Sequence, residues 1–232
     1  MSRELPILFS SPMVRAILDG RKSVTRRVIK PQPVLDNDGM WHWKDCQWMD
    51  GGLGFPASGI ADHARYQPGD ILWVRETWCK LWELDIRGQI TEGTEAFYYA
   101  ADGYNPTPFN TFPDEDGFAG GRDCPRWSPS IHMPREAARL FLRVTDVRAE
   151  RVQDVSVQDA KDEGIRVWAS GCIDGMHYGC YNGDKCVNNV CTRPIDYFRE
   201  LWDSINAKRG FGWDTNPWSW VYEFERLEAK NG

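Results

Sequence analysis

The alternation of apolar and polar positions along this chain predicts short strands at both ends with few helices between them. Leu5 to Phe9 is a wholly apolar run of strand length. Ser10-Ser11-Pro12 then reads as a helix start, with a Ser cap and Pro in the first turn. Met13, Val14, Ile17 and Leu18 form its apolar stripe and Gly20 ends it. Lys22 to Ile29 returns to a strand pattern, and Pro31-Gln32-Pro33 closes it. Pro68-Gly69-Asp70 is a turn signal before a core strand, Ile71–Val74, that runs into Arg75, Glu76 and Thr77. Residues 95–101 predict another strand. Arg139 to Val147 sets Leu140, Leu142 and Val144 against Arg139, Phe141 and Arg143, a strand with one buried face. Ser156 opens a short helix with Asp159 as a capping-box-like partner and Gly164 as its stop. Pro194 starts a longer helix with Phe198, Leu201, Trp202 and Ile205 on one face. Trp218, Trp220, Tyr222 and Phe224 alternate along a terminal strand. Residues 34–66 predict a loop or small hairpins, and 102–130 an ordered loop.

The pattern suggests an α+β chain built around a small β-barrel with insertions, within one domain spanning 1–232. No regular strand–helix alternation, Walker loop or dinucleotide fingerprint is present. Composition narrows the class: of 232 residues, 41% are hydrophobic and 27% charged, ordinary for a globular chain. Mean hydropathy is −0.56 and no apolar run approaches the roughly 18 residues of a membrane span. The N-terminus has no apolar h-region, which leads us to expect a cytoplasmic location.

Net charge is −6, which argues against a coat of positive charge for non-specific DNA binding. The charge is uneven. Arg15, Arg21, Lys22, Arg26, Arg27 and Lys30 face Asp19 alone, a local excess of +5 on an otherwise acidic body. One basic patch suits an anionic ligand held at one site.

Within that patch, Gly20-Arg21-Lys22-Ser23-Val24-Thr25-Arg26-Arg27 places a lysine, two hydroxyls and three arginines directly after a helix. A strict strand puts Lys22, Val24 and Arg26 on one face and Ser23, Thr25 and Arg27 on the other, so Lys22 and Thr25 converge only across a turn or bulge. A solvated basic strand is the plainer reading of the same residues.

PILFSSPMVRAILDGRKSVTRR, GDILWVRETW and the closing PWSWVYEFERL together resemble the ASCH domain of bacteriophage and prophage proteins, a member of the PUA-like β-barrel superfamily. Its motif G-x-K-x-x-T-x-R reads here as Gly20, Lys22, Thr25 and Arg27. The resemblance implies a PUA-like (ASCH) small mixed β-barrel with flanking helices, with residues 34–66, 102–126 and the Cys-rich 170–192 as insertions. It implies a cleft binding RNA, another single-stranded nucleic acid or a modified nucleoside, in a bacterial host cell and without a membrane. Some small members hydrolyse N4-acetylcytidine with a lysine, a threonine and a glutamate, here Lys22, Thr25 and Glu76; another cleaves RNA. In such a trio Thr25 is the nucleophile and Lys22 its base, provided that burial or neighbouring cations lower the lysine pKa. A Glu76–Lys22 ion pair would instead hold Lys22 protonated. Arg21, Ser23, Arg26, Arg27 and Arg75 are the candidate ligand contacts, the arginines for phosphate or an oxyanion. Alternatives are a ribonuclease in the same cleft and a protein-interaction module docking through the loops. This chain is much longer than the minimal domain, so its added loops bear on the cleft.

Trp41, Trp43 and Trp48 lie in a polar loop and read either as that loop's own core or as stacking platforms beside the basic patch. Trp78, just past Glu76, is the best stacking candidate, and His132 lies in a possible second wall. Cys172, Cys180, Cys186 and Cys191, with His177 between the first two, would suit one structural zinc, free thiols or disulfides. Neither half carries a C-x2-C knuckle, and the barrel site itself implies no cofactor.

Overall fold

The computed structural model describes residues 2–49, 60–81, 96–103, 127–172, 175–181 and 194–228. The main sheet has five strands: β1 (Glu4–Leu8), β2 (Val24–Val28), β6 (Ile71–Arg75), β9 (Phe141–Arg151) and β12 (Trp218–Leu227). Their order is β1-β6-β9-β12-β2. β1 runs parallel to β6 and every other pair is antiparallel.

The sheet is therefore open, with β1 and β2 as its edges, and the closed barrel anticipated from the sequence is not formed among the described residues. The chemistry of β1 gives the reason. Arg3 O accepts from Ile71 and the Phe9 amide donates to Arg75 O, so positions 4, 6 and 8 face away from the sheet. Pro6 has no N–H to offer there. The outward carbonyls of Pro6 and Leu8 accept instead from side chains, the Tyr66 hydroxyl at 2.8 Å and Arg27 at 2.7 Å. The α+β class holds.

α1 (Ser11–Leu18) has Ser10 at its N-cap without a side-chain cap bond, and ends at Gly20 with φ 71°. Val14, Ala16 and Ile17 are its buried residues. They join one face of the sheet, including Ile7, Leu72, Leu142, Trp220 and Tyr222, in the main core. Residues 34–49 are a three-stranded antiparallel meander, β3 (Val34–Leu35), β4 (Met40–Trp43) and β5 (Cys46–Met49). Trp41 and Trp43 of β4 enter this main core rather than forming one of their own, edge-on to Trp218 and Trp220.

The other sheet face is covered by α2 (Val157–Asp162) and α3 (Pro194–Asn206). α2 carries the anticipated capping box: Ser156 Oγ accepts the Asp159 amide at 3.0 Å and Asp159 accepts the Ser156 amide at 3.1 Å. On α3, Phe198 and Trp202 are buried whereas Ile205, placed on the core stripe by periodicity, is 39% exposed. Covering both faces explains why Ser219 and Val221 are buried along with Trp220 and Tyr222. β7 (Trp78–Leu81) pairs with β8 (Ala96–Tyr99) over a small third cluster of Tyr99, Met133 and Ala137. β10 (Arg166–Cys172) and β11 (Gly175–Tyr181) form a hairpin. Among the described residues no helix is long and apolar enough to cross a membrane.

Candidate functional site

Strand β2 carries the basic motif and divides it between two environments. Its ladder to β12 runs without a bulge, with Thr25 opposite Tyr222, Arg26 opposite Val221 and Arg27 opposite Trp220. Strict alternation therefore sends Arg26 toward α2 and α3, and Thr25 and Arg27 to the other side.

On the helical side the cations are saturated. Lys22 Nζ donates to Glu163 Oε2 at 2.6 Å, to Val24 O at 2.7 Å and to Glu163 O at 3.0 Å. Its side chain is 0% exposed and that of Glu163 4%. Burial pulls the Lys22 pKa below the ordinary lysine value, while the Glu163 charge opposes it. Three acceptors on three N–H bonds are the geometry of an ammonium. Arg26, also enclosed, meets Glu150 at 3.1 Å, Asp159 at 3.4 Å and Glu163 at 3.5 Å. Gly164 makes this packing possible: at φ 95°, a Cβ there would stand 2.8 Å from the Ala16 Cβ and 3.2 Å from the Lys22 Cβ.

On the other side lies a cavity of about 550 Å³ at the seam between the two sheet edges. Arg27, Lys30, Lys44, Arg65, Arg75 and His63 line it, and among the described residues no carboxylate does. None of these six is ion-paired among the described residues; they rest on aromatic rings and carbonyls instead. Arg27 lies over Phe9, Arg65 over Tyr66, Arg75 over Trp73 and Lys44 over Trp43. Burial pulls the Arg27 pKa below the ordinary arginine value, the mark of a desolvated cation. Trp43, Tyr66, Trp220 and Tyr222 complete the wall with aromatic surface.

A smaller cavity of about 210 Å³ lies between β2 and α3. Arg27, Val28 and Lys30 line both.

Of the anticipated residues, Arg27 and Arg75 meet in the larger cavity, and Thr25, Arg26 and Arg27 in the smaller. The proposed catalytic trio does not assemble through its ion pairs. Lys22 pairs with Glu163, whereas Glu76 accepts from Arg139 Nε and Nη2 at 3.0 Å each. Arg139 also holds Asp102, at 2.8 Å. Burial raises the Glu76 pKa against the opposing pull of Arg139. Lys22 and Glu76 each pair with a residue from later in the chain and not with one another. Arg21 is tied to Asp19 and the Gly164 carbonyl, and Ser23 is exposed. Trp78 packs edge-on against Phe97, and His132 is exposed on a short 3-10 turn.

The hairpin places Cys172 opposite Gly175 and Cys180 opposite Val167, five register positions apart. Cys186 and Cys191 lie outside the described residues. Among the described residues no group of three or more His, Cys, Asp and Glu is placed to hold a metal ion.

Lys44, His63, Arg65 and Tyr66 were not legible as site residues. They stand in two separate segments with no motif around them, and a fold is needed to bring them to β2. Comparison of the chain with protein-family models, curated proteins and solved structures gives no match.

Proposed function

We propose that this protein binds single-stranded nucleic acid, or a nucleotide taken from it, in the basic aromatic cavity between β1 and β2. The observation that carries the reading is a cavity of about 550 Å³ lined, among the described residues, by six cationic or titratable nitrogen side chains, four aromatic rings and no carboxylate. Clustered cations without counter-ions among the described residues repel one another, and a phosphate supplies what they lack. The flanking rings offer stacking surface for a base. The strand–helix–strand opening and the G-x-K-x-x-T-x-R segment support placing the chain among ASCH-type, PUA-like domains, with the barrel left open.

The reading is one of binding without hydrolysis. Lys22 has its three N–H bonds committed to Glu163 and Val24 and lines neither cavity, so it is not free to take a proton from Thr25. Fluorescence anisotropy with a labelled single-stranded RNA tests it. Affinity is expected to fall with salt, and Arg65→Ala and Arg75→Ala each to weaken binding and lower the salt slope by about one. RNA is expected to stay intact, and N4-acetylcytidine to release no acetate. Failure to bind RNA or nucleotides at low salt would end the proposal; turnover abolished by Lys22→Ala would restore the hydrolase reading.

A further inference from the structure

The two cavities have a relation that bears on the length of the ligand. They are separate hollows, on either side of β2, and the residues they share are Arg27, Val28 and Lys30. Two of those three are cations, so positive charge sits where one hollow meets the other. The strand between them is an edge. Ser23 O accepts from Phe224 and Ile29 donates to Trp218 O, so Thr25 and Arg27 bond to β12, while Arg26 and Val28 turn their peptide groups outward.

The walls of the two hollows also differ in kind. The larger is cationic and aromatic, as described. The smaller has an apolar wall from α3, formed by Phe198, Leu201, Trp202 and Ile205. Arg26 from β2 and Asn206 at the end of α3 border it as well. The Asn206 side-chain amide carries no hydrogen-bond partner among the described residues. The Nε–H of Arg26 is buried with no partner either. Glu163 and Arg209 line the same hollow, the carboxylate already held by Lys22 and Arg26. Flat apolar surface, unpartnered donors and acceptors, and one carboxylate are complementary to the edge and face of a nucleobase. At about 210 Å³ the hollow suits a base without its phosphate.

The geometry points to a ligand footprint of base, phosphate, base: a single-stranded dinucleotide step laid across the β2 edge. One base stacks in the larger cavity, its neighbour enters the smaller one, and the phosphate between them sits on Arg27 and Lys30. This rests on the nucleic-acid reading above and adds to it a minimum length and a second base subsite.

Isothermal titration distinguishes the two. The probes are the four nucleoside 5′-monophosphates and the four homodinucleoside monophosphates (UpU, CpC, ApA, GpG). A dinucleoside monophosphate carries less negative charge than a mononucleotide, so simple charge attraction predicts weaker binding for it. We expect at least one dinucleoside monophosphate to bind about tenfold or more tightly than its mononucleotide, the gain of one stacked base. Ile205→Trp, which fills the smaller hollow from a half-exposed helix position, is expected to erase that advantage and leave mononucleotide affinity unchanged. Ile205→Glu serves as a second variant, with thermal melting to confirm that both fold. Equal affinities within all four pairs, or an advantage untouched by both Ile205 variants, would overturn the dinucleotide footprint while leaving nucleotide binding in place. No binding by any probe would overturn both.

Discussion

Arg26 and Arg27 are neighbours in sequence and opposites in environment. Arg26 is enclosed on the helical face of β2 and meets three carboxylates, from Glu150, Asp159 and Glu163. Arg27, one residue on, pairs with none among the described residues and borders the larger cavity, where no described carboxylate lines the wall. The two faces of one strand thus show two ways of accommodating buried positive charge. On one, the protein supplies the counter-ions and the cluster is structural: breaking it leaves an uncompensated charge. On the other, the counter-ions are missing and aromatic rings stand in part for them, an arrangement that favours an anion from outside. A cation's burial alone says little about its role; whether its charge is already answered says more.

The largest test of this contrast is Glu163→Ala. It strands buried Lys22 and removes one partner of Arg26, and urea denaturation is expected to show a loss of about 3–5 kcal/mol. Next is Gly164→Ala, which forces a side chain into a left-handed backbone and against Ala16, where a Cβ would approach to 2.8 Å. It is expected to cost about 1–3 kcal/mol in the same measurement. On the open face the effects move from stability to binding. Lys30→Ala removes an exposed cation without a carboxylate partner among the described residues, so stability is expected to stay within about 0.5 kcal/mol while RNA affinity falls several-fold. A cavity variant that destabilised the protein as Glu163→Ala does would erase the distinction.

The smallest effect is one of pH. Burial pulls Asp159 up, but hydrogen bonds from Ser156 and the charges of Arg26 and Arg148 outweigh it, and its pKa lies below the ordinary aspartate value. A carboxyl that ionises more readily in the folded chain adds stability above the ordinary aspartate pKa, and this is lost as pH falls through the lower folded value. Asp159→Asn is therefore expected to flatten the acid limb of a stability–pH curve without altering RNA affinity at neutral pH.

Much of the local structure could be read directly from residue pattern. The apolar run before Ser10, the Ser156–Asp159 box and the alternation from Trp218 to Phe224 each act over a few residues and each forms the element it implies. Partners were not legible. Glu163 lies far along the chain from Lys22, Arg139 stands where Lys22 was considered for Glu76, and nothing in the sequence around Arg65 or Lys44 marks them as neighbours of Arg27.

Sequence alone thus determined where strands and helices begin, which strand carries the basic cluster, and that alternation divides that cluster into two sets. Those properties follow from backbone sterics and side-chain period, which are local. Tertiary structure decided which set is neutralised, that the sheet stays open, and that hollows flank its β2 edge. Charge pairing and cavity shape depend on segments brought together from distant parts of the chain, and no local pattern specifies them.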